Sequence, residues 1–585
     1  MYPPLWKGDK LVSTGHEKAN VLNDQYKSVF VKEDLTNLPD KGPSPYSSMG
    51  PITVSVNGVK CLLNKLNPKK AIGPDMVPTT ILKDYSQEIA PILQAIFQPS
   101  LDTGEVSDDW KKANISAVYK KGDKHIAANH RPVSLTCVSC KVLEHIVFRS
   151  IMDHVDINKI LVHFQHGFRA KHSCETQLVN TVQDLVDGLN DHEQLDLLIL
   201  DFSKAFDTVA HQRLLGKLDY YGIRDTTHAW VKNWLTGRVQ KVVVDGDCSP
   251  ETPVESGVPQ GTVLGPLMFI LYINDISEGT TSFIKLFADD CILFRIIRSA
   301  CDATALQRDL NKLCDWAKTW QMSFNAGKCS VLTITKKRQP LLSVYTMLGE
   351  TLQHYDHHPY LGVELARDMC WGHHINQTAR KAQNSLNMLR RNLHGCSRTT
   401  KGLAYSTMVR PILEYAGTVW DPYQSNHIKT LEAVQRRAAR WTTQDYDRES
   451  SVSAMLDTLG WRTLQERRFV SRLTLFYKAL NEGTACVIPS CFVQRPLLTR
   501  TGHGFQYTIP HMNLDLYKFS FFPRTIRAWN ILPEYVVSSP RPDIFKRQLE
   551  MAFLDGTLYM VPPRDFTQTP RFGSTDQVSV VGAVY

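Results

Sequence analysis

The chain has 585 residues, 43% of them hydrophobic and 21% charged, with a net charge of +9. That length exceeds one compact core and implies several domains, and the composition excludes an intrinsically disordered chain. The basic surplus suits a polyanionic partner, although over so long a chain it also serves solubility.

Residues 1–48 are polar and carry Pro39, Pro43 and Pro45, which reads as a linker or N-terminal arm. Helical periodicity begins at Val59, Leu62, Leu63 and Leu66, and returns near Ile89–Phe97. A strand over Ile115–Tyr119 runs into Lys120, Lys121 and Lys124. Ser173 is placed to cap a helix whose Leu178, Val182, Leu185 and Leu189 share one face. From about 195 to 335 the pattern is strand-rich, with a buried strand at Leu195–Leu200 and two further strands, Phe283–Phe287 and Cys291–Phe294, flanking a tight turn. Leu264, Leu267, Met268 and Leu271 form a helical stripe between them. Beyond about 375 the chain is mostly helical and basic.

The longest apolar run, Leu267–Ile273, stops at Asn274 and Asp275 and is too short to span a bilayer, so no membrane partner is expected. The 13 cysteines are scattered and odd in number, which suits a reducing compartment. Cys137 with Cys140, and Cys486 with Cys491, lack a second pair, so no structural zinc is expected.

The chemistry concentrates in three segments. Asp201 closes the apolar strand, where a carboxylate is costly unless its charge is compensated. Taken alone it reads better as a cap of the next helix. Asp289 and Asp290 sit between two apolar strands, and a hairpin there brings at least one of them to the edge that holds Asp201. Carboxylate oxygens of this kind select Mg²⁺, with Mn²⁺ as a substitute. The third segment, Gly257-Val258-Pro259-Gln260-Gly261, leads into the helical stripe, and its glycines allow a ligand to approach the backbone closely. Lys120, Lys121 and Arg131 are candidates to neutralise a triphosphate.

The order of these segments resembles motifs A, B and C of reverse transcriptases. In detail they are similar to the jockey-type branch of non-LTR retrotransposons. The resemblance rests on Asp201-Phe202-Ser203-Lys204-Ala205-Phe206-Asp207, Gly257–Ile276 and Phe287-Ala288-Asp289-Asp290. Asn129–Leu135, Gln165–Arg169, Asn325 with Lys328, and Tyr360-Leu361-Gly362-Val363 add to it, so that it covers about residues 50–445. Departures from the usual pattern stand at His130, Cys174 and Ala210, none of them an expected metal ligand.

The resemblance implies an α+β, right-hand polymerase with a mostly helical C-terminal domain. Fingers with part of the palm would occupy 49–194, the palm with the catalytic motifs and primer grip 195–366, a helical thumb 367–445, and a C-terminal helical domain and tail 446–585. Asp201 and Asp289 would be the principal metal ligands and Asp290 a secondary one. Lys120 or Lys121 with Arg131 would hold the triphosphate. Phe206 would be the steric gate under the sugar, Gln260 and Gly261 would meet the nucleotide or template, and Lys328 would protonate pyrophosphate. Leu361 and Gly362 would lie in the primer grip.

Template RNA, a DNA primer and dNTPs would be the partners, and action in the nucleus is expected. The family pairs the polymerase with an upstream endonuclease, absent ahead of residue 50, so the chain is expected to be a truncated copy or a piece of a longer reading frame. Arg380, Lys381, Arg390, Arg391, Arg398, Lys401, Arg410, Arg436, Arg437 and Arg440, with Trp420 and Trp441 among them, suit a groove that follows a phosphate backbone. Two other readings remain at this point: a group II intron maturase, and an RNA-binding relic whose polymerase is idle. The tail past about 485 carries no specific reading, and Asp576 alone does not make an RNase H site.

Overall fold

The protein is described by a computed structural model that covers residues 2–494, 503–554, 556 and 558. The tail around Asp576 lies outside the described residues. Helices and two larger sheets alternate in an α+β arrangement. The central sheet has the strand order Gln353–His354, Ser330–Ile334, Leu195–Asp201, Asp290–Ile296, Phe283–Phe287. Leu195–Asp201 lies in its middle, antiparallel to both neighbours.

Burial on both faces explains why this strand is nearly all apolar. Leu198, Leu200, Cys291, Leu293 and Val331 pack with the helices Leu264–Tyr272 and Ala300–Thr319. Leu197, Ile199, Ile292, Phe294 and Leu332 face the helix Cys174–Asn190 and the C-terminal helices. The one polar residue inside the strand, Asp196, is fully buried and satisfied: Tyr345 donates to it at 2.7 Å and Gln194 at 3.2 Å. Ser173 does cap its helix, in a box closed by Thr176, and Leu178, Val182, Leu185 and Leu189 are all buried.

A second sheet runs His130–Leu135, Lys112–Tyr119, Val239–Val244, Asp247–Cys248. Its outer face corrects the expectation of a linker over 1–48. Leu5–Lys7 and Lys10–Val12 form a hairpin, and the helix Gly15–Lys27 lies on the sheet. Leu5, Val12, Leu22 and Tyr26 share a core with Ala113, Ile115, Val242 and Val244. Residues 28–55 contain no helix or strand but are tied down along their length. The Glu33 carboxylate accepts from the backbone N–H groups of Gln212 and Arg213 at 2.8 and 2.9 Å. Lys41 pairs with buried Asp275 at 2.9 Å.

The C-terminal half also differs from expectation. Gly372–Asn392, Ser425–Thr443, Leu464–Asn481, Phe521–Trp529 and Pro542–Leu554 contribute to one continuous core with the helix Cys174–Asn190, so no core boundary falls at 445. Trp420 and Trp441 are buried in that region and are not available to stack on bases. Arg380, Lys381, Arg390, Arg391, Arg398, Arg436 and Arg437 are exposed. Among the described residues no helix is long and apolar enough to cross a membrane.

Candidate active site

Asp201 is the last residue of the central strand, and its register partner is Asp290, the first residue of the neighbouring strand. Residues paired this way point to the same face, with Cβ atoms about 5 Å apart. Asp290 also pairs with Phe287, which leaves Ala288 and Asp289 as a two-residue hairpin turn. Ala288 takes a positive φ of 53°, the conformation such a tight turn requires at its first position. A non-glycine residue there costs about 1 kcal/mol and needs support from its surroundings. Gln165 supplies it: its side-chain oxygen accepts from the Ala288 N–H at 3.0 Å and the Gly167 N–H at 2.7 Å. Residues 164 and 166 complete the brace, exchanging backbone hydrogen bonds with Leu286 at 3.0 and 2.9 Å.

Three carboxylates thus meet at one end of the sheet. Burial raises the pKa of Asp289, and the Asp201 charge adds to the rise. Asp290 presents surface to solvent, yet protein crowds it; burial, then the charges of Asp289 and Asp201, push it up to about 6. Lys120 and Arg131 pull both acids the other way. Lys328 pairs with Asp201 at 3.1 Å.

No group of three or more His, Cys, Asp or Glu side chains forms a ready metal cage among the described residues. The donor set nevertheless fits a hard divalent cation. All three side chains offer oxygen, they repel one another, and the nearest positive charge on Asp201 is a half-exposed lysine. Mg²⁺ is commonly held by one or two carboxylates and takes its other ligands from water and substrate phosphates.

The strands Lys112–Tyr119 and His130–Leu135 set the direction of Lys120. Val118 pairs with Arg131, and the Lys120 N–H bonds to the Asn129 carbonyl at 2.9 Å, so Lys120 and Arg131 project from the same face. Burial and the Arg131 charge lower the Lys120 pKa, while the Asp201 charge works against them. Lys121 lies beyond the end of the strand, and its charge also lowers the Lys120 pKa.

The glycine loop carries a correction. Its glycines admit the protein's own backbone. A Cβ on Gly257, at φ 88°, would stand 2.7 Å from the Asp207 carbonyl oxygen. One on Gly261, at φ 103°, would stand 2.8 Å from the Ser134 carbonyl oxygen. Gln260 is held at both ends: its carbonyl accepts from the Ser134 N–H at 2.7 Å, and its amide donates to Asp207 at 2.9 Å. Phe206 stacks on Phe269 with centroids 4.3 Å apart and meets half-exposed Phe168 edge-on at 6.0 Å. One face is core, and the ring stays partly open.

The family described as reverse transcriptase (RNA-dependent DNA polymerase) matches residues 118–365, which include Asp201, Asp289, Asp290, Lys120, Arg131 and Lys328. Residues 118–365 are thus similar to a reverse transcriptase domain, and the chain as a whole is similar to jockey-type proteins. The chain is similar to the RNA-directed DNA polymerase from mobile element jockey of Drosophila melanogaster, 28% identical over 487 residues, covering 79% of this chain and 53% of the relative. The Drosophila funebris protein of that name is 29% identical over 441 residues, 72% of this chain and 48% of the relative. The probable RNA-directed DNA polymerase from transposon BS of Drosophila melanogaster is 26% identical over 531 residues, 86% and 57% respectively. The chain therefore spans about half the length of these curated relatives.

Two further parts of the reverse transcriptase domain complete the site. Leu361 and Gly362, with φ 45° and 80°, form the two-residue turn between His357–Tyr360 and Val363–Ala366. The Tyr415 hydroxyl donates to the Leu361 carbonyl at 2.8 Å and fixes that turn. Buried Tyr360 lies close enough to Asp290 for the acid's charge to help burial raise its pKa. Sequence reasoning gave no role to Gln165 or Asp207. Both stood inside recognised segments, but their partners are 123 and 53 residues away along the chain.

Proposed function

We infer that the protein is an RNA-directed DNA polymerase of a non-LTR retrotransposon, extending a DNA 3′ end along an RNA template. The observation that carries this reading is the register pairing of Asp201 with Asp290, beside Asp289 and within reach of the charges of Lys120 and Arg131. The sheet of residues 112–135 and 239–248 then serves as fingers, the central sheet as palm and the helices of 372–443 as thumb. Exposed arginines and the cleft lined by Arg390, Arg391 and His394 support a path for the nucleic-acid backbone. The primer would be nicked chromosomal DNA, which places the work in the nucleus and calls for an endonuclease.

Asp201 and Asp289, with Asp290 in support, would hold Mg²⁺ or Mn²⁺. When bound, such ions activate the 3′-hydroxyl and neutralise charge on the leaving pyrophosphate. The chain's own residues do the remainder. Lys120 and Arg131 bind and orient the triphosphate. Phe206 lies under the sugar and excludes a 2′-hydroxyl. Gln260 and Gly261 form the platform beside it, and Leu361 and Gly362 seat the primer end. Lys328, which pairs with Asp201 at 3.1 Å, would give a proton to pyrophosphate.

Primer extension on an RNA template with purified protein tests the reading. Incorporation of dNTPs is expected, and Asp289→Ala should reduce it by about a thousandfold or more while RNA binding persists. A wild-type protein that binds RNA and incorporates nothing would identify an RNA-binding relic instead.

A further inference from the structure

Asp207 is a buried acid next to the gate, and the polymerase reading gives it no chemistry. Burial raises its pKa, and its carboxylate accepts from Gln260. Its backbone is gripped as well. The Ser256 hydroxyl donates to the Asp207 carbonyl at 2.8 Å and itself accepts from the N–H of Val31 at 2.9 Å. Val258 donates to the Phe206 carbonyl at 2.8 Å, and Gly257 to that of Val209 at 2.8 Å. His211, whose backbone follows this turn, donates from Nε2 to the Gly257 carbonyl at 2.8 Å.

The N-terminal segment thus reaches the nucleotide platform by two routes. Val31 touches the Ser256–Asp207–Gln260 series directly. Glu33 caps the helix His211–Tyr220 that leaves the gate, and Arg213 of that helix donates back to the carbonyls of Asp34 and Asn37 at 2.8 and 3.1 Å. Behind Asp207 and Gln260 a small cavity of about 40 Å³ is walled by Tyr26 and Phe30 of the same segment. These contacts add to the grip of Ser134 on the Gln260 carbonyl and of Phe269 on the Phe206 ring.

We propose that residues 26–37 position the nucleotide site, with Val31, Ser256 and Asp207 setting where Gln260 and Phe206 stand. The proposal rests on the polymerase reading. These are positioning residues; none is required to touch the reacting atoms. Loss of one such hydrogen bond displaces the platform more than it weakens the fold, so the effect falls on nucleotide affinity and sugar choice.

Steady-state primer extension with the full chain tests this. Ser256→Ala removes both the acceptor for Val31 and the donor to Asp207. It should raise KM for dNTP by roughly tenfold and leave kcat within about twofold. Ser256→Thr, which keeps the hydroxyl, should restore KM. Asp207→Ala, which frees Gln260, should raise KM likewise and relax the preference for dNTP over rNTP; it is read beside Ser256→Ala so that poor folding of one variant leaves the other to decide. Wild-type extension with KM unmoved in both variants overturns this proposal and leaves the polymerase reading standing. A fall in kcat and melting temperature together, with KM and sugar preference constant, also overturns it by showing a purely structural role. Wild-type protein that incorporates nothing overturns both.

Discussion

At the Asp289 hairpin three carboxylates crowd together under the partial influence of Lys120, Arg131 and Lys328. Some 130 residues further along, where the helices of 372–443 meet those that follow, the balance is reversed: one buried carboxylate, Asp421, is surrounded by three guanidinium groups. Arg468 and Arg472 donate to its two oxygens at 2.7 and 3.0 Å, and Arg524 pairs with it at 3.2 Å. Burial works to raise the Asp421 pKa, but Arg524, Arg468 and Arg472 outweigh it and hold the acid low. The contrast separates architecture from function. A charge cluster that is satisfied within the chain is a joint. One left short of positive charge at a tight turn is ready for a cation from outside.

Substitutions can break or sharpen this contrast. Asp421→Leu strands buried arginines, so it should cost about 3–5 kcal/mol of stability, seen in the denaturation midpoint. Its incorporation per folded molecule should fall far less than that of Asp289→Ala. An unchanged midpoint would remove Asp421 from the structural side of the comparison.

Phe206→Ala opens the space beside the acids without changing any charge. It should raise rNTP use relative to dNTP by about ten- to hundredfold, measured by competitive incorporation. Unaltered sugar choice would reject the gate. Lys120→Ala should raise KM for dNTP by roughly tenfold and Lys121→Ala by much less, because Lys120 shares a face with Arg131 and feels the Asp201 charge. Equal effects would mean that the two strands deliver charge to the site from both faces.

The smallest effect is in pH dependence. Asp290 titrates near 6 when folded, above its unfolded value, so the folded state holds the proton longer and this group's contribution to stability declines as pH rises through that interval. Asp290→Asn should therefore stabilise metal-free protein at pH 7.5 by on the order of 1 kcal/mol after solvent screening, and should not at pH 4. Asp421 has the opposite sign: its folded pKa is low, so its contribution is full above about pH 4 and is lost as pH falls below. Melting curves of both variants across this range would show slopes of opposite sign, or else erase the distinction.

The acids were legible from sequence because each sits at the edge of a contiguous apolar strand. Burial on both faces also made Leu195–Asp201 readable as a central strand before its partners were known. Other features needed the partner. Choosing between Lys120 and Lys121 requires the register of two strands, which the polar stretch between them does not encode. Gln165 and Asp207 act on backbone atoms far away in the chain. The glycines of 257–265 suggested room for a ligand, yet the space is taken by the carbonyls of Pro259, Ser134 and Asp207. The N-terminal segment was misread because Leu5, Val12, Leu22 and Tyr26 are too sparse to signal a core by themselves. They become one only against a sheet that begins a hundred residues later.

That segment bears on how the protein can be produced. Placing an expression boundary at residue 50, where recognisable polymerase motifs start, would strip the helix Gly15–Lys27 from its sheet and uncover Ile115, Val242 and Val244. A boundary ahead of Leu5 keeps that helix on its sheet and those apolar side chains covered.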